Sequence, residues 1–95
     1  MIAQVITFSA SVPITDETRK YVEEVSAEAL KADGLEGTLN LADLTTGEGL
    51  VITLYRDQAA MDVFQAERQR LSTQAQQDLG VTVSEPRVYE VLVRL

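Results

Sequence analysis

Glu67 is the residue of this sequence whose position most directly suggests chemistry. On a helical wheel it falls close to Ala60, within the apolar stripe of a predicted helix, so we expect its carboxylate to face a sheet. A carboxylate buried without a partner has a raised pKa and can act as a general base on a phenolic or enolisable substrate. The alternative is a slightly rotated helix, on which Glu67 pairs with Arg70 or with an arginine of a strand.

Four further side chains could contact a ligand in the same region. Tyr21 and Tyr55 could direct hydroxyl groups into a cavity, where a phenol can donate to a developing enolate. Alternatively, their rings are buried and their hydroxyls lie at the rim. Asn40, the only asparagine, is either a polar group of the cavity or a solvated strand residue. Thr7 could add a hydroxyl from the first strand, although no nearby base could activate it as a nucleophile.

The sequence contains no cysteine and no histidine. These absences exclude disulfides, thiolate nucleophiles, the usual zinc sites, and acid–base or haem chemistry that depends on imidazole. We therefore expect no metal site and no bound cofactor.

The charge pattern argues against polyanionic partners. Fifteen acidic and eight basic residues give a net charge of -7 with no basic cluster, which disfavours binding to nucleic acid or to an anionic membrane surface. The amino terminus lacks a basic, apolar leader, and no apolar run approaches the roughly 18 residues of a membrane span. We expect a cytoplasmic protein.

Apolar periodicity and turn residues predict four strands and two helices. Thr15 and Asp57 are the expected helix caps, and Gly34 and Gly80 the expected helix ends. In order, the predicted elements are a strand at 2–8, a helix at 16–32, a strand near 37–44, a turn at 45–49, a strand at 50–55, a helix that is capped by Asp57 and ends near Gly80, and a strand at 87–95.

This order is β-α-β-β-α-β, which predicts an α+β, ferredoxin-like domain over residues 1–95, with a four-stranded antiparallel sheet and both helices on one face. Several strands are apolar on both faces, as in Leu50, Ile52 and Leu54 alternating with Val51 and Tyr55. Two helices cover only one face, so we predict a homodimer through the open face of the sheet.

The segment LNLADLTTGEGLVITLYRDQAAMDVF, from Leu39 to Phe64, resembles the dimeric α+β barrel superfamily and its small antibiotic-biosynthesis monooxygenase-like proteins. The resemblance implies a ligand cavity between helices and sheet, and activities that include cofactor-independent oxygenation of polycyclic phenols, cyclisation or isomerisation of polyketides, and haem degradation. Haem-degrading members carry Trp and His on the second helix. Phe64 and Gln74 lie near those positions here, so haem degradation is not predicted. Phe64 is predicted to contact the ligand.

The resulting prediction is a cofactor-independent monooxygenase-like protein, active or degenerate, that acts on a small aromatic or polyketide-type molecule. The alternative is a non-catalytic dimeric module that binds a small apolar ligand or regulates a partner.

Overall fold

The strands and helices follow one another in the predicted order, except that the last predicted strand is divided in two. The computed structural model describes all residues from 1 to 95. Its elements are β1 (Ile2–Ala10), α1 (Asp16–Ala29), β2 (Leu35–Ala42), β3 (Glu48–Tyr55), α2 (Gln58–Leu79), β4 (Val81–Val83) and β5 (Arg87–Glu90). All strand pairs are antiparallel, in the order β2-β3-β1-β4, with β5 also paired to β1. The ferredoxin-like α+β fold is thereby confirmed, and neither helix is long and apolar enough to cross a membrane.

The helix ends follow from local chemistry. The Oγ1 of Thr15 accepts a hydrogen bond from the backbone N–H of Thr18 at 3.3 Å, and the Oδ1 of Asp57 accepts one from that of Ala60 at 2.8 Å. Gly80 ends α2 in the left-handed conformation at a φ of 65°. The first helix ends three residues earlier than predicted, at Ala29.

The fourth predicted strand is divided in two, so the sheet has five strands. Val83 lies opposite Phe8, and Arg87 lies opposite Val5. The segment between Val83 and Arg87 is therefore one residue longer than the segment of β1 between Val5 and Phe8. Ser84 bridges the gap: its N–H donates to the carbonyl of Thr7, and its Oγ accepts from the N–H of Thr7, each at 2.9 Å. The break is a β-bulge.

The prediction that this strand continues to Leu95 is wrong. Pairing stops at Glu90, and the last backbone contact is the N–H of Val91 with the carbonyl of Met1 at 2.9 Å. Residues 92–95 form no backbone hydrogen bond with a neighbouring strand, so nothing holds them in the sheet. Leu92 is 89% exposed, and the apolar residues that follow it are exposed as well.

The buried core is small and lies at one end of the sheet. Tyr55, Ala60 and Met61 form its centre where β3 leads into α2, and Phe64 packs against them. No residue of α1 is fully buried. The inner faces of the two helices therefore lie above the rest of the sheet without packing closely against it.

Candidate functional site: a cavity between the helices and the sheet

A cavity of about 870 Å³ separates the two helices from one face of the sheet. Most of its lining residues are hydrophobic. The sheet supplies Ile6, Phe8, Val51 and Val83, α1 supplies Val22 and Val25, and α2 supplies Phe64, Leu71, Ala75 and Leu79. Its volume falls within the roughly 300–1,000 Å³ of typical small-molecule sites.

Polar side chains occupy a few places in this apolar wall. The Nδ2 of Asn40 donates to the Oγ of Ser26 on α1 at 3.3 Å, and the hydroxyl of Tyr21 donates to the Oδ2 of Asp78 on α2 at 2.9 Å. Partial burial and the adjacent Asp78 carboxylate raise the pKa of Tyr21. Tyr21 therefore stays protonated at neutral pH, and its oxygen remains available as an acceptor.

Arg68 brings a positive charge to the same wall. It is half-buried on the inner face of α2, one turn beyond Phe64. Its Nε donates to the Oε1 of Gln65 at 2.8 Å and its Nη2 to the Oε1 of Gln69 at 3.3 Å. None of its nitrogens lies within ion-pair distance of an acidic side chain.

A hydrogen-bonded pair of side-chain amides, Gln4 and Gln65, connects Arg68 to the core. The Nε2 of Gln4 donates to the Oε1 of Gln65 at 2.8 Å, and the hydroxyl of Tyr55 donates to the Oε1 of Gln4 at 3.0 Å. Burial raises the pKa of Tyr55, and the charge of Arg68 opposes that rise. This chain of hydrogen bonds fixes the position of Gln65, which in turn holds the guanidinium of Arg68.

Glu67 does not occupy the position expected of it. Its side chain is exposed, and its Oε2 accepts from the Nε of Arg70 at 2.9 Å. That hydrogen bond, together with the positive charge of Arg70, lowers the pKa of Glu67. A general base with a raised pKa is therefore absent from this position, and the alternative ion pair with Arg70 is what forms.

Glu67 is exposed because α2 is turned about its axis by about one residue position, roughly 100°, relative to the predicted orientation. Its inward positions are centred on Arg68, and Val63, which the predicted stripe included, is 85% exposed. The spacing of Phe64, Leu71, Ala75 and Leu79 was the signal that could have identified Arg68, since all four lie on its side of the helix.

Of the remaining predicted residues, some line the cavity and others do not. Tyr21, Asn40 and Phe64 line the cavity. Tyr55 lies in the core beside Phe64, with ring centroids 6.2 Å apart, and its hydroxyl is occupied by Gln4. Thr7 is opposite Leu50 on the other face of the sheet, so it does not line the cavity.

Solved structures share this fold over the whole chain. A candidate antibiotic biosynthesis monooxygenase from Deinococcus radiodurans superposes with a TM-score of 0.75 at 21% identity, covering 100% of this chain and 96% of that one. A second candidate antibiotic biosynthesis monooxygenase, from Nitrosomonas europaea, gives a TM-score of 0.72 at 9% identity, covering 98% and 100%. The chain thus has the α+β fold of the antibiotic-biosynthesis monooxygenase-like proteins.

The same fold occurs in a protein with a different named activity. The heme-degrader MhuD from Mycobacterium tuberculosis, solved with two hemes bound in its active site, gives a TM-score of 0.74 at 13% identity, covering 100% of this chain and 99% of that one. No protein-family model matches the chain, and no curated protein does. The fold therefore does not specify a function, because one fold can host unrelated activities.

Proposed function

We propose that this protein is a monooxygenase-like protein that binds a small aromatic or polyketide-type molecule between its helices and sheet and acts on it without a cofactor. The observation that carries the proposal is the cavity itself. Its walls are mostly apolar, and Phe64 and Leu71 line it without filling it. An apolar cavity of this size suits a fused ring system.

The polar groups of the wall suit a phenolic molecule. The hydroxyl hydrogen of Tyr21 is directed at Asp78, so the oxygen of Tyr21 can accept a hydrogen bond from a substrate hydroxyl. Asn40 and the guanidinium of Arg68 offer donors to a carbonyl or enolate oxygen. Water exclusion by the apolar walls would strengthen each of these contacts.

One observation favours a non-catalytic ligand-binding module as the second candidate. Glu67, the carboxylate predicted to act as a base, forms an exposed ion pair with Arg70. A module of this kind would use the same cavity, so binding and turnover have to be measured separately.

1,8-Dihydroxyanthrone separates the two functions, because its oxygenation consumes one O₂, converts a CH₂ group to a carbonyl and releases one water. We expect the compound to raise the melting temperature of the protein and to be converted to the anthraquinone faster than in buffer alone. The readouts are thermal shift, O₂ consumption and the absorbance of the quinone. Ala75→Trp, which places an indole in the cavity, should abolish both effects.

Stabilisation without turnover would favour the module over the enzyme. If neither the anthrone nor related polycyclic phenols stabilise the protein, the proposed cavity function is wrong, because a ligand that binds only the folded state must stabilise it.

We further propose that the protein functions as a homodimer. The sheet face turned away from the helices carries Val5, Leu39, Ile52 and Leu54, and Leu39 is 57% exposed. A second copy is the occupant whose own open face has matching chemistry.

A further inference from the structure

Arg68 stands apart from every other charged residue of the chain. Of eight basic and fifteen acidic residues, it alone is half-buried, and all the others are exposed. A charge that is partly removed from water loses solvation, and a partner of opposite sign would offset that loss. Four other basic residues are also without an acidic partner, but all of them can be solvated freely.

The guanidinium is held in place by two amides, which leaves most of its hydrogen-bonding capacity unused. Gln65 and Gln69 accept from its Nε and Nη2, and both are neutral. A guanidinium has five N–H donors in a planar fork that matches a carboxylate. Gln65 is itself fixed by Gln4 and by the carbonyl of Met61 at 2.9 Å, so Arg68 is positioned by the core.

Other charges around the cavity do not compensate Arg68. Glu23 and Arg19 border the cavity from α1, and both are exposed. Asp78 is on α2 but ten residues further along, where it accepts from Tyr21 and Gln74. Phe64 and Leu71, which lie about one helical turn before and after Arg68 on α2, line the same cavity.

We infer that the cavity selects an organic anion, an apolar ring or chain carrying a carboxylate or an equivalent acidic oxygen, with Arg68 as the anchor of the anionic group. This inference rests on the proposed binding of a small molecule in the same cavity and specifies its chemical class. The apolar walls would accommodate the hydrocarbon portion. Charge selection would be local, since the net charge of -7 disfavours anions elsewhere on the surface.

Pyrene-1-carboxylate and pyrene-1-carboxamide test the inference, because they share a fluorescent ring system and differ in charge. We expect fluorescence titration at neutral pH to show the carboxylate binding about tenfold more tightly or better, as a charge-assisted hydrogen bond allows. Arg68→Gln should bring the two affinities together by weakening the carboxylate only. Arg70→Gln, an equal loss of charge on the exposed side of the same helix, should leave the preference unchanged.

Arg68→Lys distinguishes an anion anchor from a purely structural residue. It keeps the charge but lacks the Nε donor to Gln65, so it should retain a clear preference for the carboxylate. If Lys and Gln variants weaken both probes equally, or if wild type binds both probes equally, the inference is overturned while the binding cavity stands. If neither probe binds wild type, or Ala75→Trp leaves binding intact, the proposed cavity function fails and the inference with it.

Discussion

Gln4 is the one polar side chain that the core buries almost completely, at 3% exposure. Its carbonyl oxygen accepts from both Tyr55 and Gln65, and its amide nitrogen donates to Gln65. Buried polar groups are tolerated when all of them are paired, and no buried side-chain polar atom here is without a partner. Gln4 therefore organises the layer between the core and the cavity.

Gln4→Leu should destabilise the protein more than Tyr55→Phe does. Loss of the Tyr55 hydroxyl leaves Gln4 still paired with Gln65, at a cost of about 1 kcal/mol. Loss of Gln4 deprives both Tyr55 and Gln65 of a buried partner, for which we expect about 1–3 kcal/mol. Urea denaturation at one fixed protein concentration measures both. An equal or larger loss for Tyr55→Phe would contradict the assigned network.

Of the three glycines with positive φ, the two that follow helices differ in their surroundings. Gly34, at a φ of 87°, lies between α1 and β2, where an added Cβ would collide with the Cβ of Ala60. Gly80, at a φ of 65°, ends α2 with open space around it. The first glycine is required by packing and by conformation, the second by conformation alone.

Gly80→Ala should therefore cost only the left-handed backbone penalty, about 1–2 kcal/mol. Gly34→Ala should cost that amount plus an overpacking term of roughly 1–3 kcal/mol. Thermal denaturation of the two variants gives the comparison. Ala60→Gly serves as the control, because removing the opposing Cβ should recover part of the loss at Gly34 and none at Gly80. Additivity of Gly34→Ala with Ala60→Gly would show that the collision does not account for the difference.

The helix starts could be predicted from the sequence. The caps Thr15 and Asp57 act through short-range hydrogen bonds, so local residue types sufficed for the helix starts. The orientation of α2 was missed because Ala60, which is buried against Gly34 near the helix start, shifts the apolar stripe towards Glu67. The later residues Phe64, Leu71, Ala75 and Leu79 lie on the side of Arg68. The bulge at Ser84 depends on its pairing with Thr7, a residue 77 positions away.

The molecule as a whole exposes more surface than its mass requires. Its accessible surface is 6390 Å², whereas a folded monomer of 10.4 kDa is expected to expose about 5,400 Å². The excess of about 1,000 Å² for one chain is close to the roughly 800 Å² that each partner buries in a specific interface of standard size. Three features contribute to this excess surface: the open sheet face, the tail after Val91 and the unfilled cavity. A second copy could cover the open face and the tail.

Substitution of the open face should consequently change the size of the particle in solution. We expect light scattering after size exclusion to give wild type about twice the 10.4 kDa chain mass. Leu39→Lys should shift it towards the monomer, because the substitution places an unpaired charge in the proposed interface. Val63→Lys is the matched control, since Val63 is 85% exposed on the outer side of α2. A wild type that elutes as a monomer at micromolar concentration would contradict the dimer, and equal effects of the two lysines would show that the interface is not formed by the sheet.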